Sequence, residues 1–279
     1  MKKGLTIALA VIAVAAIICG VIGFAQKGEM QKRVDELNAQ AAKLDAELAE
    51  AKKDLENVKA EAAQAVEAAE KAAVITHEQY VAASLDSKVT IEAYVQGKQS
   101  WWADKATIYL QAKDGAYFVY EMPISEADYA LLTPGTKVRV TGYKSEWAGE
   151  VEIVDAAFKI LAEDSWIAEA EDVTALLPSE DLILHQNEVV AVKGVTVEAY
   201  DESGAAFKYK NETDKTDDLY FKVSKDGQTY EFCVEFYLCG KDTEVYKAVE
   251  ALNVGDVIDL EGFLYWYNGA NLQATKLTK

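Results

Sequence analysis

A chain of 279 residues predicts about two domains, and with half of its residues apolar it can bury real cores. Its formal charge of −19 is concentrated beyond residue 75, where 18 Lys/Arg face 36 Asp/Glu, and such a surface repels nucleic-acid phosphates instead of neutralising them. Three Cys and two His leave no zinc-ligand spacing, and Cys233 and Cys239 read equally well as two free thiols or one pair.

Residues 1–27 hold an uncharged run of 22 residues, Gly4 to Ala25, behind Lys2 and Lys3. At ~1.5 Å per residue it is about 33 Å long, the thickness of a bilayer core. A cleaved secretory signal usually has a shorter apolar stretch of ~7–15 residues, which favours an uncleaved anchor. Gly23-Phe24-Ala25 keeps the alternative open, secretion after cleavage near Ala25. Ile18 is too bulky to precede a lipidated Cys19. With both lysines ahead of the run, the rest of the chain is expected outside the membrane.

Residues 28–75 predict a helical stalk. From Met30 to Ala72 apolar positions alternate by three and four, an unbroken heptad seam with charges on most other sites. Leu and Val fill the early seam and Ala alone the late one, so the far half is weakly held. The pattern fits a self-associating coiled coil or a single spacer helix.

Beyond residue 75 the chain repeats itself. Val89-Thr-Ile-Glu-Ala-Tyr94 returns as Val195-Thr-Val-Glu-Ala-Tyr200, and Lys113-Asp-Gly115 as Lys225-Asp-Gly227. Gly135, Gly142 and Gly149 return with the same spacing as Gly255, Gly262 and Gly269. Three matched blocks in one order mean a duplicated domain. Repeat 1 (76–162) begins with a short helix capped by Thr76 with Gln79 at the capping-box position. Its strands are expected near 88–96, 106–112, 116–122, 137–143 and 150–160. Those of repeat 2 (188–279) are expected near 189–200, 217–224, 228–236, 256–263 and 270–277. Asp114-Gly115, Ala148-Gly149, Asp226-Gly227 and Asn268-Gly269 are the hairpin turns. Helices near Glu126–Leu132 and Glu244–Leu252 separate the third and fourth strands. Gly142 and Gly262 mark bulges or bends. Between the repeats (163–187), Asp164–Leu177 predicts an acidic linker helix. The fold class is mainly β, two tandem five-stranded barrels behind an α-helical stalk.

The stretch Gly135-Thr-Lys-Val-Arg-Val-Thr-Gly142, followed by Trp147 and Gly149, is matched by Gly255-Asp-Val-Ile-Asp-Leu-Glu-Gly262, followed by Tyr267 and Gly269. It resembles bacterial OB-fold domains of the tRNA-anticodon-binding type, over about 89–161 and 189–279. The resemblance implies binding by the outer face of strands two and three and the flanking loops. It does not name a ligand, because that fold hosts many functions.

Centring the second hairpin on Asp226-Gly227 pairs Lys222 with Glu231 outside and Phe221 with Phe232 inside. Carried to repeat 1, that register puts Tyr109, Phe118 and Tyr120 inside, and an apolar outer face of Ile108, Leu110, Tyr117 and Val119. Either another part of the chain or a ligand must cover such a face. Trp101 and Trp102 in the Gly97–Lys105 loop, and Trp147 on the fourth-to-fifth hairpin, are the stacking candidates beside it. The same tryptophans would also serve to close barrel ends. Arg139 is the one Arg beyond Arg33, too few for a nucleic-acid groove.

No phosphate loop, HExxH, GxSxG elbow or EF-hand spacing is present. The chain is therefore expected to be non-catalytic and to take no cofactor or metal, and the resemblance together with the apolar run implies a bacterial envelope protein. Its expected partners are a protein or glycan ligand, the membrane through residues 4–25, and a second copy through the stalk. A purely structural spacer is the alternative, and single-stranded nucleic acid fits the charge poorly.

Overall fold

A computed structural model describes residues 27–162, 165–213 and 215–279. The apolar run 4–25 and Cys19 lie outside the described residues. Among those described, no helix is long and apolar enough to cross a membrane. The chain divides into two compact units between Ala69 and Glu70.

The described part of the first unit is a helix, α1 (Lys27–Ala72), whose last three residues fall beyond that boundary; Glu29 lies in its first turn and Lys71 in its last, each on the favoured end of the helix dipole. Glu47 and Lys43 form an i, i+4 ion pair on its surface. Its seam is bare: Val34, Leu37, Leu44, Leu48, Leu55 and Val58 are all exposed.

The second unit holds both repeats. It opens with α2 (His77–Ala82), whose N-terminus carries the reciprocal Thr76–Gln79 capping box. The first barrel comprises β1 (Lys88–Lys98), β2 (Lys105–Ala112), β3 (Gly115–Pro123), β4 (Lys137–Trp147) and β5 (Glu150–Ile160), with α3 (Glu126–Leu131) after β3. Its strands close in the order β1-β2-β3-β5-β4, with β3 and β5 parallel. The linker adds β6 (Glu171–Asp172). In the second barrel, β7 (Val189–Glu198), β9 (Leu219–Lys225), β10 (Gln228–Val234), β11 (Val257–Trp266) and β12 (Ala270–Thr278) repeat that circuit, including the parallel β10–β12 contact. The short β8 (Phe207–Tyr209) continues the edge of β7 along β9 after an inserted loop, and α4 (Glu244–Glu250) precedes β11. A helix between strands three and four of a closed five-stranded circuit is the OB plan, present twice.

Both helices start where the sequence places them, Ser125 accepting from the Asp128 amide and Thr243 from the Tyr246 amide. Gly142 and Gly262 sit at matching bulges, where the register of the fourth and fifth strands slips. A Cβ on Gly142 would lie 2.7 Å from the Val154 carbonyl oxygen, and one on Gly262 would run into that of Gln273. Close backbone approach, not loop freedom, demands glycine there.

Two expectations fail. The first concerns the face of the β2–β3 hairpin. In repeat 2 Lys225 faces Gln228, and Asp226-Gly227 form the turn; in repeat 1 Ala112 faces Gly115, and Lys113-Asp114 form it. The matching Lys-Asp-Gly triplets are thus one residue out of structural step, which reverses the face of every side chain on the strand. Ile108, Leu110, Tyr117 and Val119 line the core of the first barrel, the equivalents of Phe221, Val223, Tyr230 and Phe232. They are not an outer face. Tyr109, Phe118 and Tyr120 point out.

The second concerns the linker. No helix forms over 165–172. The backbone spends its hydrogen bonds on the barrels: Ala168 N donates to Gln96 Oε1 at 2.8 Å, Val173 N to the Ala191 carbonyl at 3.0 Å, and β6 pairs in parallel with β7. Val173, Leu177 and Leu182 are buried in the second core. Two 3-10 turns, Thr174–Leu176 and Glu180–His185, finish the segment. Burial of its apolar residues outweighs the helix propensity of its acids.

The helix α2 is fastened by Lys144, whose Nζ donates to the carbonyls of Tyr80, Val81 and Ala83 at 2.8–3.0 Å. The Tyr80 carbonyl also accepts from the Ala83 amide at 3.2 Å, and Lys144 adds charged donors to this and the other carbonyls at the helix end. Lys144→Ala is expected to cost about 2–3 kcal/mol in urea denaturation and to speed amide exchange across α2 first. Uniform exchange across the barrel would contradict this fastening role.

Candidate functional site

The outward residues of β2 and β3 meet the other barrel. Tyr109 stacks on Phe263 of β11 with ring centroids 4.2 Å apart, and Phe118 meets Tyr265 edge-on at 5.3 Å. The Tyr109 hydroxyl accepts from Gln99 Nε2 at 3.1 Å and donates to Gln273 Oε1 of β12. A Cβ at Gly97 would stand 2.8 Å from the Phe263 ring, so glycine lets the barrels close to this distance. Most of the surface that OB domains use for ligands is therefore consumed as a seam between the repeats.

At the other end of the seam, the hairpins Trp147–Glu150 and Trp266–Ala270 touch. Asn268 N donates to the Ala148 carbonyl at 2.7 Å, and Trp147 lies 5.2 Å from Tyr267. Beneath them Glu150 is fully buried. Its Oε2 accepts from Trp266 N at 2.8 Å and Gln186 Nε2 at 3.2 Å, while Oε1 has no partner. Burial pushes its carboxyl up to about 8.

One part of the outer face stays open. Tyr120 continues the aromatic row of Phe118 on β3 and emerges from under the second barrel. Beside it lies a cleft of about 300 Å³, walled by Gln99, Ser100, Trp102, Thr107, Tyr120 and Tyr237 and floored by the Lys105–Glu121 ion pair. Trp102 is 70% exposed on a tight turn, its backbone paired with Lys105 around Ala103 and Asp104, both at positive φ. Tyr237 comes from the second barrel, its carbonyl accepting from Ser100 N at 2.7 Å and Ser100 Oγ at 3.1 Å. The hydrogen bond from Lys105 holds the Glu121 carboxyl below its ordinary range, and burial beside Glu121 raises the Tyr120 phenol. The cleft thus offers three exposed rings around neutral donors and acceptors and one balanced ion pair.

Of the residues singled out in the sequence, Trp102 alone lines this cleft. Trp101 folds down onto the first core and donates from Nε1 to the Ile124 carbonyl at 3.0 Å, closing the barrel end. Trp147 belongs to the hairpin contact. Ile108, Leu110, Tyr117 and Val119 are core. The expected register misplaces Tyr120, and Tyr237 carries no local signal at all.

Arg139 is 5% exposed and donates to Glu92 Oε1 from both Nε and Nη2, at 3.0 and 2.8 Å. Burial opposes the Glu92 charge, yet hydrogen bonds from Arg139 and Lys137 hold its carboxyl below the usual range. The thiols of Cys233 and Cys239 are free and buried, and burial pushes Cys239 up to about 11. Among the described residues, Glu171, His185 and Glu188 bring metal-capable atoms within 4.8 Å of one another. His185 Nδ1 is already bonded to Glu188 Oε2 at 2.8 Å, which ties the linker to the start of β7.

No protein-family profile matches the chain, and no curated protein matches it in sequence. Among solved structures, the Stn1–Ten1 complex of S. pombe is 19% identical over 27% of this chain and 59% of that chain, with a TM-score of 0.22. An OB domain from Methanosarcina mazei is 12% identical over 32% of this chain and 84% of that one, at 0.26. A murine DNA-binding protein bound with double-stranded DNA is 10% identical, covering 68% and 94%, at 0.31. Likenesses this distant carry no argument about a ligand. The fold assignment rests on the strand circuit itself.

Proposed function

We propose that this chain is a non-catalytic bacterial binding protein that presents its paired OB barrels outside the membrane, on a stalk formed by α1, to a glycan through the Trp102–Tyr120–Tyr237 cleft. Residues 4–25 supply the anchor, or a signal removed near Ala25. The observation that carries the ligand reading is the cleft: flat rings flank small neutral hydrogen-bonding groups with no net charge. Ligand sites of this kind combine apolar walls with a few placed polar groups. A sugar ring offers a C–H face to such rings and hydroxyls to Gln99 and Ser100. A peptide is the other occupant of suitable chemistry. Nucleic acid is disfavoured by the −18 balance of the barrel region and by Arg139 being spent on Glu92.

The test is tryptophan fluorescence of the full-length chain against neutral oligosaccharides, peptidoglycan fragments, peptides and single-stranded oligonucleotides. A glycan is expected to shift the emission. Trp102→Ala should abolish that shift while changing stability by less than about 0.5 kcal/mol, as for an exposed side chain. A response to none of the panel, or one that survives in Trp102→Ala, would remove the cleft from consideration. The second reading, a purely structural spacer, is favoured by a different observation, the burial of Tyr109 and Phe118 between the barrels. An unresponsive cleft would leave it standing.

A further inference from the structure

We propose that α1 pairs with α1 of a second copy as a parallel, in-register, two-stranded coiled coil. This goes beyond the ligand reading and holds whether or not the cleft is used. In the 46-residue helix the seam residues Val34, Leu48 and Leu55 fall on one heptad position, and Leu37, Leu44 and Val58 take the alternate core position. All six are 38–62% exposed, with Leu44 at 62% and Val58 at 60%. A period of 3.5 residues keeps such a stripe facing a neighbour along its whole length.

The charges beside the seam choose the neighbour. In a parallel pair, the residue just before one core position faces the residue five further along the partner. Glu47 then meets Lys52, and Asp54 meets Lys59, and the twofold repeats each contact on the other side. An antiparallel pair that matched Val34 with Val58 would instead set Glu47 against Glu47 and Asp45 against Asp45 of the other copy, acid against acid. The stripe is therefore complementary to its own copy in one orientation. Glu47 and Lys59 pair within the helix with Lys43 at 3.6 Å and Glu56 at 2.9 Å, yet keep 58% and 60% of their side-chain surface in solvent, so both can also meet a partner. The all-Ala stretch from Ala62 onward buries little area and adds little, which places the association in residues 30–58.

The experiment uses the full-length chain in mild detergent with Cys19→Ser, leaving only the buried Cys233 and Cys239. Leu37→Cys and Leu55→Cys are introduced separately and oxidised gently. Both are expected to give covalent dimers on a non-reducing gel, because each residue faces itself only in a parallel, in-register pair. Absence of dimer at either position overturns the proposal, since an antiparallel pair joins only the residue at its centre. So does a trimeric mass by light scattering. Leu48→Asp combined with Leu55→Asp breaks the seam without touching the barrels. With Leu37→Cys in that background, undiminished crosslinking would show crowding in the micelle and likewise overturn the proposal. A charge test completes it. Lys52→Glu should raise the dimer dissociation constant roughly tenfold, and adding Glu47→Lys should restore it. An unchanged constant in Lys52→Glu would refute the stated orientation.

Discussion

Phe263→Ala is expected to destabilise the paired barrels by about 3–5 kcal/mol, the usual cost of emptying a packed aromatic site. The ring is 5% exposed, stacks on Tyr109 at 4.2 Å and fills the space that Gly97 leaves bare. Leu238, packed in the same cluster and also beside Gly97, is the side chain placed to relax part of the way into the gap. In calorimetry the melting temperature should fall by roughly 10 °C. The single transition should also separate into two, because the seam couples the two cores. Tyr109→Phe is the milder companion. It keeps the stack and loses the hydroxyl between Gln99 and Gln273, for about 1–2 kcal/mol. A Phe263→Ala protein melting as one transition within 2 °C or so of the parent would show that the barrels do not depend on the seam.

The second large effect follows pH. Glu150 has its folded-state carboxyl raised to about 8 from the ordinary 4.5, with burial the leading cause. A raised carboxyl binds its proton more tightly when folded. Its contribution is therefore complete below the unfolded value and is lost as pH climbs through the folded one. Stability should fall between about pH 4.5 and 8, by an amount on the order of 4 kcal/mol from this residue. Glu235, raised to about 7 mainly by burial, slopes in the same direction. Comparing urea unfolding of the parent and Glu150→Gln at pH 5 and pH 8.5 isolates the one group. Glutamine keeps an acceptor for Trp266 N and has no proton to lose, so its curve should be flatter. Equal slopes would mean that Glu150 is solvated through an opening at the hairpins.

Strand positions, both inter-strand helices and the Thr76 cap were legible because each is fixed locally. Thr76, Ser125 and Thr243 accept from backbone amides three residues on, and Asp226-Gly227 adopts positive φ at both positions. The face of β2 and β3 was not. Both of its sides are apolar, so hydrophobic alternation has nothing to choose between. The Lys-Asp-Gly match then misled, because turn position, not sequence identity, sets the register. The linker failed for a related reason. Its acids suggest a solvated helix, but Val173, Leu177 and Leu182 are worth more inside the second core. Of the cleft, Trp102 was visible as a loop aromatic. Tyr237 joins it from across the seam, 135 residues further along the chain, and no local pattern announces that.

The seam joins unlike surfaces, the β2–β3 face of one repeat against the β11–β12 face of the next. A head-to-tail contact of this kind repeats indefinitely if every unit carries both halves. Duplicated domains start out carrying both. The strand register shows how propagation stops. The residues of the second barrel that correspond to Tyr109 and Phe118 are Lys222 and Glu231, a cross-strand charged pair. At the opposite end, the residues matching Phe263 and Tyr265 are Tyr143 and Ser145, which lack the paired aromatic surface. The two repeats thus form an array of length two, terminated at both ends by chemistry. Replacing Lys222 and Glu231 with Tyr and Phe would remove one terminator, and only with Tyr143→Phe and Ser145→Tyr added at the other end would a finished pair become the seed of a filament.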